Sequence, residues 1–134
     1  MAAAAAVARP LEGQYTATVY GLIREEKHLE AIRLLELERQ CRPGNRAALS
    51  LLGYCYYQAQ RFPAAVEVYE ELLRSHAEAP EYRLYYAQAL YKAGRYVEAM
   101  NATHAVAAAD PELRGRAVKL QAALQYESPA LGRC

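Results

Sequence analysis

Every 34 residues this chain returns to the same pattern, and that period constrains its fold more than any other feature. His28, Phe62 and Tyr96 stand one period apart, as do Ala31, Ala65 and Ala99. Glu26, Gln60 and Gly94 share a place just before them, and Val19, Gly53 and Ala87 share one further back. Leu22, Tyr56 and Leu90 recur seven residues after the place held by Tyr15 and Leu49, and Pro43 and Pro111 close equivalent stretches. Such a unit cannot bury an apolar face alone, so the units must stack and share a continuous core.

Within a unit the apolar residues fall at helical spacing: Leu49, Leu52 and Tyr56 on one segment, then Phe62, Ala65, Val66, Tyr69 and Leu73 on the next. A helix–turn–helix unit of this length is the tetratricopeptide repeat. First helices are expected near 12–25, 46–59 and 80–93, and second helices near 28–40, 62–75 and 96–109. Pro63, Pro80 and Pro111 suit helix starts, where a missing N–H matters least. Asn45 and Asp110 are natural N-caps. No heptad survives across Pro43, Pro80 or Pro111, which excludes a long coiled coil.

Gly53 costs about 1 kcal/mol in a helix interior relative to alanine, so something must use the space it leaves. The expected use is a close approach of the two helices, Gly53 facing Ala65 and Ala87 facing Ala99, with Phe62 and Tyr96 wedged between units. The expected organisation is an all-α solenoid of about three and a half units over 12–126: near 12–45, 46–79 and 80–113, with a partial unit over 114–126. It is flanked by a disordered alanine-rich tail (1–11) and a C-terminal tail (127–134). The last helix is expected to leave Leu120, Ala123 and Leu124 partly exposed, as in the front part of a longer solenoid.

Composition removes several function classes. Sixteen basic against fifteen acidic residues, scattered along the chain, leave no nucleic-acid footprint. The opening MAAAAAVARP lacks the basic start of a secretory leader and the several arginines of a mitochondrial one. No apolar run is long enough to insert into a membrane. Cys41, Cys55 and Cys134 are odd in number and widely spaced, as reduced thiols rather than a disulfide framework or zinc site. His28, His76 and His104 fall at non-equivalent places and make no catalytic or metal-ligating spacing. Glu25-Glu26 and Glu70-Glu71 read as solvated faces, and the sequon at Asn101 lies within a helix. No catalytic, cofactor or metal site is expected.

Function is then expected in the concave surface that first helices line. Its inward positions are Thr16, Tyr20 and Ile23; Ser50, Tyr54 and Tyr57; Leu84, Gln88 and Tyr91; then Val118, Ala122 and Gln125. Tyr20, Tyr54, Tyr57, Leu84, Gln88 and Tyr91 are the candidate partner-binding residues. Co-chaperone repeats that hold acidic tails place lysine, arginine and asparagine at such positions. Here Thr16 and Leu84 replace the lysines, and Tyr20, Tyr54 and Gln88 the others. An aromatic and aliphatic groove suits an extended apolar or proline-containing segment. The alternative is that the rings only pack against neighbouring helices.

The run ALSLLGYCYYQAQRFPAAVEVYEELLRSHAEAPEYRLYYAQALYKAGRYVEA resembles the N-terminal repeats of the tetratricopeptide repeat protein thirty (fleer) family. That family supplies a long all-helical subunit of intraflagellar transport complex B. YTATVYGLIREEKHLEAIRLL upstream and LRGRAVKLQAALQY downstream fit in order, so the resemblance spans roughly 13–126. It implies a ciliary and cytoplasmic scaffold whose repeats wrap a segment of another complex B subunit, with links to cilium assembly and tubulin polyglutamylation. A free-standing adaptor or co-chaperone is the other class.

Overall fold

The computed structural model describes residues 12–133; the alanine-rich stretch 1–11, expected to be a disordered tail, and Cys134 lie outside the described residues. Seven α-helices follow in chain order: α1 Glu12–Arg24, α2 His28–Cys41, α3 Arg46–Gln58, α4 Phe62–Ser75, α5 Pro80–Lys92, α6 Tyr96–Ala109 and α7 Arg114–Glu127. A short 3₁₀ turn, Pro129–Arg133, ends them, and no strand occurs among the described residues. The pairs α1/α2, α3/α4 and α5/α6 are the three full units, and α7 opens a fourth.

The first helix of each full unit ends the same way. Glu26 and Gln60 take φ of 59° and 60°, and Gly94 takes 82°. Their N–H groups donate to the carbonyls of Ile23, Tyr57 and Tyr91, while Lys27, Arg61 and Arg95 donate five residues back to Leu22, Tyr56 and Leu90. This is a Schellman closure, which wants a left-handed residue at its second-last place. Glycine adopts that conformation freely; Glu26 and Gln60 do so at a cost.

Between units, Asn45 Oδ1 accepts from Ala48 N at 3.0 Å, the cap expected for α3. Asp110 behaves differently: it accepts from Glu112 N at 2.9 Å and fixes a turn. Helix α7 therefore starts at Arg114, and Pro111 stands in the turn before it rather than at the helix start. Ring nitrogen Nε2 of His76 meets the Gly44 carbonyl at 2.9 Å, tying successive inter-unit loops together.

The core is continuous across units, with Val19, Leu35, Leu49, Leu52, Leu72 and Leu90 essentially fully buried. Gly53 makes room for a ring, not for a backbone. A Cβ there would lie 2.6 Å from Cζ of Tyr69, so the group it accommodates is Tyr69 rather than Ala65. The equivalent positions in the other units carry no ring: Val19 with Leu35 in the first and Ala87 with Thr103 in the third, all buried. Phe62 meets Tyr57 edge-on and Tyr96 meets Tyr91 at a tilt, centroids 5.3 and 6.0 Å apart, each pair within its own unit.

At the C-terminal end one expectation is corrected, the partial exposure of Leu124. The tail is ordered into the 3₁₀ turn, and Leu131 packs against the core cluster that contains Leu124. Leu124 is fully buried, and Leu120 and Ala123 are half-buried. The exposed side of α7 carries polar Arg116 and Lys119 together with apolar Val118 and Tyr126, 51% and 85% exposed.

Candidate peptide-binding groove

Positions 5, 9 and 12 of each first helix project from one face at the helical repeat. In α1 and α3 they leave Tyr20 48% and Tyr54 43% exposed, two large apolar rings one period apart. The Tyr54 ring is braced at 6.3 Å by the edge of His28, which starts the second helix of the preceding unit. His28 was legible in the repeat but not as a neighbour of the groove.

Tyr57 and Tyr91 are half-buried, the first held edge-on by Phe62 and the second at a tilt by Tyr96. Burial, with Tyr91 as a secondary influence, pushes the Tyr57 phenol up. Lys92 Nζ sits 5.8 Å from the Tyr91 ring centre, a cation on an aromatic face. Gln88 is half-buried. Leu84 is not available to a ligand: it is fully buried in a cluster with Val106 and Ala117, sealed by the arrival of α7. Of the six sequence candidates, Tyr20 and Tyr54 present most surface, Tyr57, Gln88 and Tyr91 present part, and Leu84 supports the wall from inside.

Chemically, the six positions carry no formal charge. Hydroxyls at Thr16 and Ser50, phenols and one amide offer hydrogen bonds at the rim of an aromatic surface. No cluster of three or more His, Cys, Asp or Glu able to hold a metal ion exists among the described residues. No described helix is long and apolar enough to cross a membrane. The sequon at Asn101 is closed: Thr103 is fully buried and its hydroxyl donates to the Met100 carbonyl at 2.6 Å.

Family models described as tetratricopeptide repeat match residues 22–84 and 56–114. The chain is a tetratricopeptide-repeat solenoid. Intraflagellar transport protein 70A of Xenopus tropicalis is 50% identical over 115 residues, 86% of this chain and 17% of that protein. Intraflagellar transport proteins 70A and 70B of Homo sapiens are each 49% identical over the same coverage. The solenoid thus spans under a fifth of the length of the curated relatives it matches. Among solved structures, the second tetratricopeptide domain of human RPAP3, in complex with an HSP70 peptide, matches with TM-score 0.75, 15% identity, and coverage of 83% of this chain and 92% of that one. The Yersinia enterocolitica chaperone SycD, in complex with a YopD peptide, matches with TM-score 0.74, 16% identity, and coverage of 86% and 92%. At those identities the two structures show the shared fold alone.

Proposed function

We propose that the solenoid is a non-enzymatic interaction scaffold of intraflagellar transport complex B, located in the cilium and cytoplasm. It would hold an extended apolar or proline-containing segment of another subunit against Tyr20, Tyr54, Tyr57, Gln88 and Tyr91. The observation that carries the reading is half identity to intraflagellar transport proteins along 86% of the chain. The uncharged, ring-bearing groove supports the same kind of ligand on independent grounds. A role in cilium assembly and tubulin polyglutamylation belongs to the same proposal. The alternative, an adaptor or co-chaperone for an acidic tail, has only the fold likeness behind it, and Thr16, Tyr20, Tyr54 and Gln88 offer no cation to such a tail.

The test is co-purification from ciliated cells with wild type and with Tyr20→Ala/Tyr54→Ala, both exposed positions whose loss spares the core. Complex B subunits should be recovered by the first and lost by the second. Recovery should persist at high salt, since screening acts on exposed charges and not on apolar burial. Recovery of a heat-shock protein instead, abolished by salt and indifferent to the tyrosines, would replace this reading with the co-chaperone.

A further inference from the structure

The three junctions between successive units can be compared position by position. At the first, Arg39 of α2 reaches across to Glu71 of α4, its Nε donating at 2.8 Å, and also to Glu36 at 3.2 Å. Tyr56 of α3 donates to Glu36 at 2.5 Å, so the junction is filled by its own ions. At the third, Ala107, Ala117 and Leu120 pack with Leu84 and Val106 and close it with apolar side chains. The second junction is joined elsewhere, by Tyr69 against Tyr85 and by Arg46 on Tyr82, but at this place it has neither solution. Leu73 and Ala105 stand one period after Arg39 and Glu71, and the pair is gone. What remains is an open depression of about 310 Å³, bordered by Leu73, Arg83, Tyr86, Glu98, Asn101 and Ala105.

The unpaired charge on its lining is Arg83. Glu98 is engaged by Arg95 through bonds of 2.9 and 2.6 Å. Arg83 is half-buried and has no hydrogen bond or ion pair with any described residue. Glu70, one turn before Leu73 on α4, does not line the depression but bears on its edge: burial first and Glu70 second push the Tyr86 phenol up. The floor is apolar (Leu73, Ala105), and Tyr86 and Asn101 add a hydroxyl and an amide. Arg83 and Tyr86 lie on a different face of α5 from Gln88 and Tyr91, centred roughly 140° away at about 100° per residue. The volume is at the low end for ligand pockets, roughly 300–1,000 Å³, which fits one anchor side chain with its neighbour.

We propose that this depression is a second docking site, outside the groove, taking an apolar side chain and the adjacent carboxylate of an acidic segment from a partner protein. The apolar side chain lies on Leu73 and Ala105, and the carboxylate accepts from Arg83 and Asn101. The inference is independent of what the groove holds.

The test is NMR on the full chain, following the side-chain N–H signals of Arg83 and Asn101 during titration with capped Gly-Leu-Asp-Gly and with its Gly-Leu-Asn-Gly counterpart. The aspartate peptide should give saturable shifts at both groups, and the asparagine peptide should bind about tenfold more weakly, since charge-assisted hydrogen bonds are roughly twice as strong as neutral ones. Leu73→Arg/Ala105→Glu installs the first junction's ion pair and should abolish the shifts in a chain of unchanged helicity. Arg83→Leu keeps the floor and should erase the preference for aspartate; it decides the matter if the filled variant does not fold. Equal binding of the two peptides, absence of saturable shifts, or retained binding in a folded, filled chain would overturn the proposal.

Discussion

Substituting alanine at Gly53 sets two measurable terms against each other. Alanine is favoured over glycine by about 1 kcal/mol in a helix interior. Against that, the new methyl would lie 2.6 Å from Tyr69 Cζ and 2.8 Å from Cε1, distances that real Cβ atoms do not tolerate. The ring has little room to retreat, being 5% exposed and lodged 6.2 Å from the Tyr85 ring. Overpacking of this kind costs typically about 1–3 kcal/mol, so Gly53→Ala should destabilise by about 1 kcal/mol net, and Gly53→Leu by several. Tyr69→Leu alone leaves a cavity and should cost on the order of 2–4 kcal/mol. Together the changes imitate the ring-free pairs of the first and third units, the methyl occupying space the ring vacates. The double variant should therefore be more stable than the sum of the singles predicts by at least about 1 kcal/mol. Urea unfolding followed by circular dichroism at 222 nm, on all four corners of the cycle, reads this directly. Additivity within about 0.5 kcal/mol would refute the idea that Gly53 exists for the Tyr69 ring.

The first-helix closures predict that Gln60→Gly stabilises by about 1 kcal/mol, by relieving a left-handed residue, while Gly94→Ala destabilises by a similar amount; a fall in urea midpoint for Gln60→Gly would contradict the strain argument. Cys55 is buried and its thiol is pushed up to about 11 by desolvation, whereas Cys41 is exposed; iodoacetamide at neutral pH should modify Cys41 in the native chain and spare Cys55 until urea is added, as peptide mapping would show. Burial, aided by Glu36, raises Tyr56 from 10.0 to about 12, and burial with Glu38 does the same for Tyr15. Because folding favours the neutral phenols, this stability is complete below pH 10 and lost as pH climbs toward 12; a urea midpoint that stays flat across that window would count against it.

Helix limits were legible in the sequence because the period and the breakers agree. Expected and observed second helices differ by at most one residue, as with 28–40 against His28–Cys41. Where reading failed, a side chain's reach decided the outcome. Gly53 announced a need for space, but Ala65 and Tyr69 lie one turn apart on the facing helix, and only the longer side chain crosses the gap. Leu84 occupies a groove position by count, yet an aliphatic residue beside Ala117 and Val106 gains more by closing the third junction. The face bearing Tyr20, Tyr54 and Tyr57 followed from spacing; which rings lean on His28 or Phe62 did not, since that depends on rotamers. The start of α7 was misplaced because Asp-Pro serves a turn as well as it serves a cap.

The three Schellman closures carry a consequence for how such a chain can change. Glu-Lys, Gln-Arg and Gly-Arg make the same pair of backbone bonds at the same places. The angle at which each second helix leaves the first is therefore written in main-chain atoms and is indifferent to the side chains borne there. Pitch and surface chemistry become separate variables. Residues at the inward places can be traded between units, Tyr54 for Gln88 or Ser50 for Thr16, and the spacing of the rungs would hold while the ligand they read is rewritten.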